Sequence, residues 1–91
     1  MIDREDIKND ITTLLFSTTC YIPNVVFYPQ LNEDYLDVYD VHDMCNTKHI
    51  ILKTEDDVMK FNEYLKETRD TQLDVADMFL LLSIVKRLRG E

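Results

Sequence analysis

The chain has 91 residues, 18 of them Asp or Glu against 10 Lys or Arg, for a net charge of −8. That length makes residues 1–91 one domain, above the size at which disulfides or a metal are needed to hold a core together. A 45% hydrophobic and 31% charged composition places it with globular rather than disordered chains. So acidic a balance argues against direct docking on nucleic acid or on an anionic membrane, since both require a basic footprint.

With one Gly and two Pro, most of the chain is expected in regular elements. Cys20 and Cys45 form no CxxC pair and read as packed thiols of a cytosolic protein rather than a disulfide scaffold. The opening Met1-Ile2-Asp3-Arg4-Glu5-Asp6 has neither a basic nor an apolar leader region. The longest apolar stretch, Val75 to Val85, contains Asp77 and Ser83 and is too short to span a bilayer. A cytoplasmic protein without a membrane segment is expected.

The first element is a helix over Asp3–Phe16. Asp3 serves as N-cap, Glu5 and Asp6 suit the first turn, and Ile2 can staple onto Ile7. Ile7, Ile11, Leu14 and Leu15 form its apolar stripe, and Ser17-Thr18-Thr19 end it. Three short strands follow. Val25-Val26-Phe27-Tyr28 is a β-branched and aromatic run between Pro23-Asn24 and Pro29. In Tyr35–Val41, Tyr35, Asp37, Tyr39 and Val41 lie on one side, Leu36, Val38 and Asp40 on the other. His49–Leu52 is the third, and the Asn32–Asp34 and Met44–Lys48 segments read as turns of an antiparallel sheet.

Two helices close the chain. Thr54 caps the first, with Glu55, Asp56 and Asp57 in its opening turn and Val58, Phe61 and Leu65 as its buried stripe. Thr71 is read as the cap of the second, running from Gln72 to Arg89 and stopping at Gly90, with Lys86, Arg87 and Arg89 at its negative end. This last helix is apolar almost all round, which fits either the centre of the core or a surface shared with a second subunit. A homodimer is expected, with Met78, Leu81, Leu82 and Val85 in its interface. The fold class is therefore α+β: a helix, a small three-stranded antiparallel sheet and two C-terminal helices.

Chemistry is harder to place. His42, Cys45 and His49, flanked by Asp40 and Asp43, are the best metal candidates, but their spacing matches no tetrahedral motif, and no metal or cofactor is expected. A single Gly cannot build a phosphate loop, no serine sits in a nucleophile elbow, and any acid pair drawn from 18 carboxylates is arbitrary. An enzyme is not expected. Tyr21, Tyr28, Tyr35, Tyr39 and Tyr64, with Phe27, lack the accompanying cations of a base-stacking platform and read as core and cross-strand packing.

Charge is the remaining signal. From Asn9 through Thr47 there is no Lys or Arg, while six acids occur, five of them (Glu33, Asp34, Asp37, Asp40 and Asp43) within eleven residues of one hairpin. Glu55, Asp56 and Asp57 follow the next strand. Hairpins ordinarily interleave signs, so a one-sign block is either an incidental acidic face or a field put to use. A domain this size, roughly 30 Å across, matches a length of duplex with about eighteen phosphate charges; one face offering about half as many carboxylates makes a partial mimic feasible, and a dimer with aligned acidic faces a better one.

In size, acidity and element order, and in the Glu33-Asp34…Asp37…Asp40…Asp43 block with its Asn- and Lys-rich texture, the chain resembles the small phage-encoded DNA-mimic inhibitors. The most similar are the anti-restriction nuclease proteins of T-even phages. The likeness spans the chain but carries no diagnostic motif, and the ten basic residues depart from it, since Lys48, Lys53 and Lys60 must lie off a mimic face. It implies a dimeric inhibitor occupying the DNA-binding site of a host restriction nuclease or similar defence enzyme. On that reading Glu33, Asp34, Asp37, Asp40, Asp43, Glu55, Asp56 and Asp57 contact a host DNA-binding protein. The alternative is an adaptor or antitoxin-like partner that docks through Phe79, Leu80 and Leu82 of the last helix.

Overall fold

The computed structural model describes residues 4–28, 34–41 and 47–90, and every structural statement below concerns these. The order is α1 (Arg4–Thr19), β1 (Val25–Tyr28), β2 (Leu36–Val41), β3 (Thr47–Leu52), α2 (Glu55–Arg69) and α3 (Val75–Leu88). The strands form one antiparallel sheet in the order β1-β2-β3. The fold is thus α+β, in the element order expected.

Strand alternation sorts the sheet into two faces. Val25 and Phe27 of β1, Leu36 and Val38 of β2, and Ile50 and Leu52 of β3 turn toward the helices, and five of these six are buried core residues, Ile50 being partly buried against them. All three helices lie on that side. α1 packs on β1 through Ile7, Ile11 and Leu14, α2 packs on β3 through Val58, Phe61 and Leu65, and α3 lies against both α1 and α2. The Phe27 and Phe61 rings meet edge to face at 6.0 Å between centroids, a favourable geometry that ties the sheet to α2.

Several boundaries differ from the sequence reading. α1 continues through Thr19, because Thr12, Thr13 and Thr19 fold their hydroxyls back onto carbonyls four residues earlier instead of breaking the helix, and Thr18 does so three residues back. The Asp3 cap and Ile2 staple lie outside the described residues. β3 begins at Thr47, so Thr47 and Lys48 are strand rather than turn. Thr54 caps α2 as expected: its hydroxyl accepts from the Asp57 N–H, and the Asp57 carboxylate accepts from the N–H groups of Thr54 and Lys53.

Thr71 does not cap the last helix. α2 closes on Asp70 in the left-handed region (φ 53°), and residues 71–74 run on as a tied-down connection. The Leu73 N–H donates to Asn62 Oδ1 at 2.8 Å, and the Asp74 N–H donates to the Tyr21 hydroxyl at 3.1 Å. α3 therefore starts a turn later, at Val75, with Asp74 as its N-cap. Its end matches expectation, with Gly90 taking the positive φ of 87° that favours glycine just past a helix. No helix among the described residues is long and apolar enough to cross a membrane.

Candidate interaction surfaces

The acidic block does not assemble into one exposed patch. Glu33 and Asp43 lie outside the described residues. Asp34 is exposed and faces Lys53 at 3.6 Å. Asp37 and Asp40, an odd number of residues apart on β2, project from opposite faces of the sheet, and both are buried (2% and 0% exposed). Those two carboxylates are not phosphate stand-ins but parts of internal networks. On the helix side, Arg69 of α2 clamps Asp40 through both guanidinium nitrogens, with Nη1 at 2.7 Å from Oδ2, and the Tyr64 hydroxyl donates to the same Oδ2 at 2.6 Å. The buried hydroxyl and the carboxylate beside it raise the Tyr64 pKa, while its bond to Asp40 raises that of Arg69.

On the other face His49 Nε2 donates to Asp37 Oδ1 at 2.6 Å. The His49 ring is stacked on Tyr39 at 4.7 Å, and Tyr39 meets Tyr28 edge-on at 6.3 Å, a ladder across all three strands. Tyr28 and Tyr39 therefore serve cross-strand packing, and Tyr64 a polar network. Asp40 and His49, both weighed as metal ligands, stand on opposite faces and cannot share an ion; His42 and Cys45 lie outside the described residues. Among the described residues no group of three or more His, Cys, Asp or Glu side chains could hold a metal ion.

A third network joins α1 to α3. Asp77, only 5% exposed, accepts from Ser17 Oγ at 2.8 Å and from the Tyr21 hydroxyl. Burial first, and the bond to Asp77 second, push the Tyr21 phenol well above its ordinary range. Spacing alone did not reveal this pairing, because Asp77 reads as an interruption of an apolar helix until Ser17 and Tyr21 arrive opposite it.

The acids that do face solvent lie mainly on α2 and the connection after it. Glu55 and Asp56 are exposed at its first turn, where Glu55 meets Lys86 at 3.1 Å and Asp56 meets Lys60 at 3.1 Å. Asp57 is committed to the capping box. Burial raises its pKa, but bonds from Lys53, Thr54 and the nearby Lys60 charge outweigh that and hold it below the ordinary carboxylate value. Asp56, Glu63 and Glu67 recur at i, i+7 and i+11 along the side of α2 opposite the buried Val58, Phe61 and Leu65. Asp56, Glu63 and Glu67 line a shallow depression of about 470 Å³ together with Met59, Lys60 and Tyr64. Asp70 and Asp74 are exposed just beyond the helix. Glu63, Glu67, Asp70 and Asp74 have no cationic partner among the described residues. The sequence reading missed these four because they are spread along the chain rather than bunched.

The expected dimer surface is corrected as well. Leu81 and Val85 are 0% exposed within a single chain, sealed by α1 and α2, and Met78 and Leu82 are partly buried against the same core. The apolar residues α3 offers to solvent are instead Val75 and Phe79, 72% and 67% exposed. Phe79 and Leu82, with Ser83, Lys86 and Arg87, line a depression of about 360 Å³. Comparison with protein-family models, with curated proteins and with solved structures returned no match for this chain.

Proposed function

We propose that this chain is a non-enzymatic inhibitor that binds the cationic, nucleic-acid-binding surface of a host DNA-binding protein, and that the contact is the solvent face of α2 rather than the β2 hairpin. The observation that carries the proposal is the row Asp56, Glu63 and Glu67 on the solvent side of α2, with Asp70 and Asp74 also exposed just beyond the helix. It is a one-sided run of carboxylates on a rigid helix in a chain of net charge −8. From Asp56 to Glu67 the helix rises about 16 Å, at ~1.5 Å per residue. Duplex DNA presents about ten phosphate charges over that length. A row of three to five carboxylates, with Lys60 among them, is therefore a sparse imitation, suited to a cationic groove rather than to the whole footprint of a duplex.

The test is capture from bacterial lysate on the immobilised chain. The quadruple variant Asp56→Asn, Glu63→Gln, Glu67→Gln, Asp70→Asn serves as control. It removes four charges, taking −8 to −4, and leaves every buried network intact. Asn is also well suited to the left-handed φ at position 70. The captured protein is expected to be released by ~0.5 M salt, which shrinks the Debye length to about 4 Å, and to be absent from the variant's eluate. Equal capture by both forms contradicts the proposal.

A second reading is favoured by the exposure of Val75 and Phe79: an adaptor, or a second copy, docking on the outer row of α3. Such a contact is apolar and barely responds to salt, which separates the two readings in the same experiment.

A further inference from the structure

The sheet ends in a bare edge at β3. β3 pairs with β2 alone, and no described strand or helix hydrogen-bonds to its other side. Along such a strand, alternate residues direct their N–H and C=O groups outward, a template for one more strand. Beside this edge a groove of about 350 Å³ opens between β3 and α2. Lys48, His49, Ile50 and Ile51 form its strand wall, and Asp57, Lys60, Phe61 and Tyr64 its helix wall. Ile51 is 48% exposed, an unusually open position for an isoleucine on an edge.

Charge selects the occupant. Thr47–Lys53 contains two lysines, a histidine and no acid, the most basic stretch of any strand in a chain of net charge −8. Lys48 is exposed, rests its ammonium 4.4 Å above the Tyr64 ring, and has no carboxylate partner among the described residues. Among the described residues Lys60 forms its ion pair with Asp56, more than 70% exposed on each side and easily exchanged, and its charge also acts on Asp57. The one acid in the groove, Asp57, is turned into its capping box. Pairing two copies of β3 brings lysines from both chains together with no acid to meet them, so a second copy is disfavoured.

We propose that the free edge of β3 and the groove between β3 and α2 receive an extended peptide segment with acidic side chains, which joins the sheet as a fourth strand. Backbone bonds to β3 supply affinity, Tyr64 and Ile50 give apolar seats, and Lys48 and Lys60 read the guest's carboxylates. The groove adjoins the acidic α2 face, with Lys60 and Tyr64 bordering both, but the two surfaces call for occupants of opposite charge.

The experiment titrates the full chain, isotope-labelled for NMR, with two capped heptapeptides: alternating Val and Glu, and the same with Lys for Glu. The Glu peptide is expected to shift and protect amides within 47–52, saturating with a Kd on the order of 0.1 mM, while the Lys peptide leaves them unmoved. Lys48→Glu, at an exposed position, is expected to weaken the Glu peptide at least about tenfold while the rest of the amide spectrum stays in place. Lys60→Glu is expected to weaken it in the same direction. Four results overturn the inference: no shift along 47–52, equal binding of both peptides, shifts confined to α3, or the same amides protected by concentration alone, which makes the occupant a second copy.

Discussion

Asp40 and Arg69 show how one residue's role changes once its neighbours are known. The Asp40 side chain is fully buried and that of Arg69 is 16% exposed, so each neutralises the other in a medium where an unpaired charge is costly. Arg69→Met strands the carboxylate and is expected to destabilise the fold by about 3–5 kcal/mol, read as a lower urea midpoint. Replacing Asp40 and Arg69 together by apolar residues is expected to cost less than that single change. Tyr21 and Tyr64 make a prediction at high pH. Both are held neutral in the folded chain, Tyr21 by burial and Asp77, Tyr64 by burial and Asp40. A folded pKa raised above the unfolded value of about 10 gives stability that is complete below that value and lost as pH climbs through it. Alkaline unfolding is therefore expected, with tyrosinate absorbance appearing in step with loss of structure for part of the signal. Tyr21→Phe should flatten the pH dependence, and unchanged alkaline sensitivity in that variant would contradict the assignment.

At the scale of elements, the capping box of α2 is the most legible feature of the sequence and makes the plainest prediction. Thr54→Ala removes the acceptor for the Asp57 N–H and is expected to cost about 1 kcal/mol. Asp57 has a lowered folded pKa, so its contribution is present above the unfolded carboxylate value and is lost as pH falls below it; Asp57→Asn should weaken that acid dependence. Periodicity located β1 and the buried stripes of α1 and α2 because each is a local pattern of apolar side chains. It could not decide which side of α3 is buried. Leu81 and Val85 look no different in sequence from Val75 and Phe79, and only the positions of α1 and α2 make the first pair core and the second pair surface. Thr71 failed as a cap for a similar reason: Asn62 and Tyr21, distant in sequence, hold the 71–74 connection extended. Likewise the alternation in β2 separated Asp37 from Asp40, but nothing local revealed that His49 and Arg69 would bury them both.

The molecule measures 38 × 28 × 22 Å, and among the described residues most of the exposed carboxylates lie on α2 and the adjoining connection. The β2 carboxylates, legible as a block, turn out to be structural where described, whereas the exposed row on α2 appears only once the helix is wound. Each carboxylate in that row is expected to contribute modestly, with single changes to Asn or Gln weakening partner binding by about two- to fivefold, as rim ion pairs usually do. Val75→Ser with Phe79→Ser should leave that binding unchanged. The most direct measurement is competition. With the captured partner bound to the immobilised chain, a short DNA duplex is titrated in at fixed low salt and the released protein is quantified. DNA is expected to displace the partner while the chain itself binds no DNA. If saturating DNA leaves the partner in place, so that both occupy it at once, the carboxylate row does not stand in for phosphates and the proposed function is wrong.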